Sequence, residues 1–182
     1  MSIRAGILLV LGETDAYGLQ IHGELEERTD RRGRINVGQI YSTLDRLGSA
    51  GLVRASGATD DGLPLYGITP AGRLAADEWL ADTDVDATSA WSDFTFKVQL
   101  ATSLGIGVPA LLDRYRAAWR TVRNSPSVEL HSPAALARRR LAEAALGWLD
   151  DLDAAPGGVG ALARPLRNER PRRGRRPAPT PE

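Results

Sequence analysis

The segment from Asn36 to Gly51 places two demands on the fold at once. Val37, Ile40, Leu44 and Leu47 recur at three- and four-residue intervals and fall on one stripe of an α-helix, while Gln39, Ser42, Thr43 and Arg46 share a face roughly opposite. Such a helix must bury its apolar stripe against other elements, and it then holds a row of small polar side chains and one arginine out to solvent. Asn36 with Gln39 three residues later is a variant of the capping box, and Gly51 is a natural C-terminal stop.

The flanking segments supply the elements that the stripe needs. Ile3, Ile7, Leu8 and Leu11 predict a first helix over Ile3 to Gly12, and Tyr17 to Arg28 predicts a second, with Ile21 and Leu25 inward and Glu24, Glu26 and Glu27 facing water. Thr29 to Arg34 is a polar connection. After Gly51, Leu52 to Ala55 begins a strand, Ser56 to Gly62 is a turn rich in Gly and Asp, and Leu65 to Ile68 is the return strand. Thr69-Pro70 starts a fourth helix to about Leu80, because Thr caps free amides and Pro at the first helical position gives up a donor that had no partner. Three helices, a small hairpin and a helix are the element order of a winged helix-turn-helix, in which the third helix enters the major groove of DNA. The predicted fold is therefore mainly α: a winged-helix unit over residues 1–81, a linker over 82–90, an all-helical unit over 91–155 and a disordered Arg/Pro-rich tail over 156–182.

The helical unit is read from Trp91 to Leu104, Pro109 to Arg123, and a helix opened by Ser132-Pro133 that runs to about Leu152. Trp91, Phe94, Tyr115, Trp119 and Trp148 give it most of the chain's aromatic surface. They can line an effector pocket for a small aromatic or cationic molecule, or they can pack as core and interface, and helical spacing favours packing.

Charge bears on the partner. The formal net charge of zero hides an uneven distribution: residues 1–81 carry 8 Arg against 11 acids, and residues 156–182 carry 7 Arg against 2. DNA affinity would therefore come from locally placed arginines and from the tail, whose alternative role is a solubilising end. Arg28, Arg31, Arg32 and Arg34 precede the third helix and are candidate phosphate contacts, with a charged surface loop as the alternative. Gln39 can pair with an adenine edge or merely complete the cap, and Arg46 can bind guanine or phosphate or lie on a solvated face. Asn36, Ser42 and Thr43 complete the candidate DNA-facing set, together with Tyr41, which packs at the core flank with its hydroxyl within reach of a phosphate.

Other function classes find little support. The chain has no cysteine, and His22 and His131 sit on different units without metal-ligand or nucleophile spacing, so no enzyme, cofactor or metal site is expected. Met1 to Leu11 has one cation and no cleavage pattern and reads as a helix rather than a leader, and no apolar run is long enough to span a membrane, so a cytoplasmic protein is expected.

Three stretches resemble the PadR family of bacterial transcriptional regulators: Tyr17-Gly18-Leu19-Gln20-Ile21; Ile35 to Leu47, with Gly38, Tyr41, Leu44, Arg46 and Leu47 on matching positions; and Gly62 to Gly72, similar to the family's wing and Thr-x-x-Gly helix start. Asp93 to Lys97 and Leu146 to Leu149 are similar to the helical C-terminal domain of its longer members. The resemblance implies a homodimer held by its C-terminal helices, reading an inverted-repeat operator in double-stranded DNA, acting as a repressor and relieved by a small molecule. Leu63, Pro64 and Leu65 depart from a wing tip that is commonly basic in the family. A winged-helix module that binds protein rather than DNA is the alternative.

Overall fold

Ser2 caps the first helix by accepting a hydrogen bond from Ala5 N at 3.3 Å, and α1 (Ile3–Glu13) then runs with Ile3, Ala5 and every residue from Gly6 to Leu11 buried. A helix buried on all sides needs neighbours all round. The structure, a computed structural model, describes residues 2–85, 91–125 and 132–167. Around α1 it places α2 (Gly18–Arg28), α3 (Val37–Ser49), α4 (Pro70–Ala81) and strand β3 (Pro64–Ile68). Gly6 is where the helices close in: a Cβ there would lie 2.9 Å from Leu25 of α2 and 3.2 Å from Phe96 of α5 (Trp91–Leu104).

The wing is a three-stranded antiparallel sheet in the order β1-β3-β2, with β1 at Ala16–Tyr17 and β2 at Val53–Ala58. The expected hairpin thus gains a strand too short to leave a pattern in the sequence. Its turn is also shorter than expected. A bulge at Ser56 and the positive φ of Gly57 let β2 continue past the expected turn start, so that Gly57 faces Leu65 and Ala58 faces Pro64. Thr69 closes the unit: its hydroxyl accepts from Gly72 N at 3.1 Å and donates to Gly51 O at 2.8 Å. Gly72 then lies so close to the chain that a Cβ would fall 2.1 Å from Leu52 O. The Thr-x-x-Gly start of α4 is therefore a clamp on the junction between α3 and β2.

Helices α5, α6 (Val108–Asn124) and α7 (Pro133–Asp153) follow. Arg116 of α6 reaches across to Asp150 and Asp153 of α7, two carboxylates that the sequence leaves at a solvated helix end. The C-terminal end of α4 is capped from outside. Lys97 donates to Trp79 O at 2.7 Å and to Asp82 O, and Arg114 donates to Leu80 O at 3.2 Å. These cations meet the negative end of a helix that has no basic residue in its own last turn. Buried apolar side chains from Ile3 to Leu149 form one continuous cluster. The molecule is a mainly helical, winged-helix protein.

The tail departs from expectation. After α7 the chain forms a 3₁₀ turn (Val159–Leu162) and then lies along α2, with Arg164 N donating to Ser103 O at 2.9 Å and Leu166 packed on the core. Part of the expected disordered segment, residues 156–167, therefore has a defined path. Val159 and Leu166 supply apolar anchors, and Arg164 and Arg167 pair with Glu27 on α2. The expected linker is only partly described, with Val85 buried and residues 86–90 outside the described residues, as are 168–182.

Candidate nucleic-acid interface

Helix α3 is positioned by the connection before it. Arg31 N bonds Glu26 O at 2.7 Å, the Glu26 carboxylate accepts from Gly33 N at 2.6 Å, and His22 Nε2 is 2.7 Å from Ile35 O. His22 thus serves to hold the loop. Asn36 caps α3 by accepting from Gly38 N at 2.7 Å. Ile40, Leu44 and Leu47 are buried, as their periodicity predicts. Tyr41 is 38% exposed and lays its ring over Gly18, where a Cβ would sit 2.6 Å from the ring. This contact fixes the N-terminal end of α2 against α3.

Gln39, Ser42 and Arg46 are exposed on the outer face of α3, and Asn36 is exposed ahead of them. The Gln39 side chain makes none of the hydrogen bonds recorded among the described residues, so it does not close a reciprocal cap. Its amide, with donor and acceptor side by side, is left open to solvent. Arg46 is parked along its own helix, donating through Nε to Ser42 O at 3.1 Å and through one terminal nitrogen to the Thr43 hydroxyl at 3.1 Å. Thr43 corrects the expectation. It is 5% exposed, in a depression that it lines with Ser2, Ile3 and Arg4, and its hydroxyl accepts from Arg46.

The arginines before α3 separate. Arg32 and Arg34 are exposed, and no ion pair engages either among the described residues. Arg31 is held by the helical unit instead, donating to Ser92 O at 2.7 Å with its guanidinium 5.3 Å from the centre of the Phe96 ring. Arg28 is 4% exposed and pairs with Glu24 at 2.7 Å. Arg28 is therefore closed to a phosphate, whereas Arg31 is half-exposed with one terminal nitrogen committed to Ser92 O. Arg4 was missed by sequence reasoning. It is exposed on the first turn of α1 and, with Ser2, Gln39 and Arg46, lines a surface depression of about 450 Å³. Its one signal in the sequence was a cation at the start of an otherwise apolar helix. The N-terminus of α2 has no side-chain cap, and the Tyr41 ring covers its first residue, Gly18. The wing tip offers Asp60 and Asp61 and no cation.

The five aromatic residues converge. Phe94 lies edge-on to Tyr115 at 4.9 Å, Trp148 at 5.2 Å, Trp119 at 5.4 Å and Trp91 at 5.5 Å between ring centres. Tyr115 and Trp119 are buried, and Trp91 and Trp148 form the rim of the group. Burial pushes the Tyr115 hydroxyl well above its ordinary pKa.

Residues 7–78 match the family described as transcriptional regulator PadR-like. No curated protein matches the chain. A crystal structure of Bacillus subtilis PadR in complex with operator DNA is similar over 81% of this chain and 96% of that chain, at 15% identity and a TM-score of 0.42.

Proposed function

We infer, from a PadR-like transcriptional regulator domain over residues 7–78, that this chain reads an operator as a homodimer. The observation that supports this most is the outer face of α3. Gln39, Ser42 and Arg46 stand exposed on a helix whose other side is locked by Ile40, Leu44 and Leu47, and the Gln39 amide is uncommitted. Gln39 pairs with the N6 and N7 edge of adenine, and Arg46 swings from its parked position to a guanine or a phosphate. Asn36, the Tyr41 hydroxyl, Arg32, Arg34 and Arg4 hold the phosphate backbone on either side. A two-fold dimer presents this face twice, so the site is an inverted repeat.

The regulator acts in the cytoplasm as a repressor, and a flat aromatic or cationic effector enters at the rim between Trp91 and Trp148, whose centres are 5.8 Å apart. Quenching or shift of tryptophan fluorescence on titration with phenolic acids or cationic dyes tests this part. No enzymatic activity is proposed.

A second reading, a winged helix that docks on protein, draws support from the acidic wing tip and from the excess of acids in residues 1–81. Fluorescence anisotropy with duplexes from the DNA upstream of the gene separates the two. A regulator gives a salt-sensitive complex that survives nonspecific competitor, and a protein-docking module gives none.

A further inference from the structure

We propose that Arg28 is a positioning residue for DNA reading: with the strap formed by residues 159–167, it fixes the winged helix against the helical unit and so sets the half-site spacing that a dimer accepts. The proposal rests on the reading above of an operator-binding dimer, joined by its helical units, and adds the device that holds the two reading faces in register.

Arg28, the last residue of α2, is buried and joins three elements. Its Nε donates to Glu24 of α2 at 2.7 Å, one terminal nitrogen donates to Ser103 O at the end of α5 at 2.6 Å, and the other donates to Arg164 O and Pro165 O of the strap, each at 3.0 Å. A buried guanidinium is tolerated only where its acceptors are held in place, and its planar fork spans partners that a lysine ammonium could not. The strap is held independently. Gly157 and Gly158, both at positive φ, turn the chain out of α7, and Val159 and Leu166 pack on the core. Arg164 N donates to the same Ser103 O at 2.9 Å, and Arg167 N donates to Glu24 at 2.7 Å. Glu27 pairs with both Arg164 and Arg167, and Gln20 donates to Arg167 O at 3.0 Å. The strap therefore follows α2 from Arg28 back to Gln20 and ties it to α5 through Ser103 and to α7 through the chain itself.

Whatever fixes α2 also aims α3. The Tyr41 ring of α3 rests on Gly18 at the start of α2, and His22 and Glu26 of α2 hold the connection that leads into α3. In a dimer joined by its helical units, the angle of each winged helix against its own α5 sets the distance and rotation between the two copies of Gln39 and Arg46. Each base pair added between half-sites moves one of them by roughly 3.4 Å and turns it by roughly 35° about the duplex axis. A pair of reading faces held rigidly accepts one spacing, and a pair held loosely accepts several.

The experiment uses the full-length chain and the upstream duplex that it binds, with half-sites mapped by footprinting. Affinity is measured at fixed salt for that duplex, for versions with one base pair inserted or removed between the half-sites, and for a single half-site. Three proteins are compared: the parent, Arg28→Met, and a variant carrying Glu27→Gln, Arg164→Gln and Arg167→Gln, which releases the strap without emptying the buried position and decides alone if Arg28→Met does not fold. The parent is expected to lose about tenfold or more on either change of spacing, and the variants less than about threefold, with single half-site affinity the same in all three. A folded variant that keeps the parent's spacing preference overturns the proposal, and so does a parent indifferent to spacing. A fall in single half-site affinity in the variants also overturns it, because the reading face itself would then be disturbed. Failure of the parent to bind any upstream duplex, or binding to one half-site only, sinks the operator-reading dimer instead.

Discussion

Among the described residues the Gln39 side chain makes no hydrogen bond that holds α3 in place, so it separates recognition from folding. Gln39→Ala should leave the melting temperature within about a degree and reduce discrimination between cognate and altered operator by about 1–3 kcal/mol, read from competition binding. Loss of stability without loss of discrimination would show instead that the side chain serves the fold. Gly72 is the opposite case. A methyl group there meets Leu52 O at 2.1 Å, a backbone atom held by its bond to Thr69 N, so Gly72→Ala should destabilise the protein by at least about 1–3 kcal/mol, seen as a lower urea midpoint. At this scale the sequence was most legible where a residue acts on its own backbone: the caps of Asn36, Thr69 and Ser132 and the stop at Gly51 are local chemistry. It was least legible where a distant element decides. Helical periodicity places Thr43 and Arg46 on one side of α3 but is silent on how α1 packs against it, and in the fold the first is buried and the second exposed. Arg28, Arg31, Arg32 and Arg34 are alike in sequence, and only the positions of α5 and of residues 164–167 tell which are already engaged.

Helix α4 ends without a cation of its own, and Lys97 and Arg114 provide two from α5 and α6. Lys97 also lies 4.5 Å from the Trp79 ring centre, and its burial lowers its pKa despite the opposing pull of Asp82. The consequence for stability has a definite sign. A lysine whose folded pKa lies below its unfolded value releases its proton first in the folded state, so the unfolded state binds more protons over the window between the two values. Stability must then rise with pH through that window, from the lowered folded value up to about 10.5. Melting temperatures of the parent and of Lys97→Met, measured from pH 7 to pH 10, should diverge upward in favour of the parent as the pH increases. Parallel curves would mean that the ammonium is not desolvated by the fold. The helices themselves were readable, because each carries its own period and its own start signal. The strap was not. Pro, Gly and Arg read locally as disorder, and the acids that give residues 164–167 their path stand on α2, about 140 positions earlier in the chain.

Composition and linker suggest two small units, each unfolding on its own, yet three contacts argue against independence at the scale of the molecule. Phe96 of α5 fills the space that Gly6 leaves on α1, Lys97 of α5 satisfies the end of α4, and Arg28 of α2 is buried against Ser103 O at the end of α5. Removing the helical unit would expose the apolar face of α1, leave the α4 carbonyls without their cations and strand a buried guanidinium, which together cost several kcal/mol. A winged helix with that deficit has little stability left to unfold separately, since a domain of this size holds only about 5–15 kcal/mol in all. Scanning calorimetry of the full-length chain should therefore give one transition. Near-ultraviolet circular dichroism, dominated by Trp91, Trp119 and Trp148 in the helical unit, should melt together with the helix signal from the whole chain. If the chain is also a dimer, the shared midpoint must rise with protein concentration, because dissociation is then part of unfolding. An aromatic signal lost well before the helices would show that the two units are coupled only loosely, and a hinge between them would then have to be considered in any account of how an effector reaches α3.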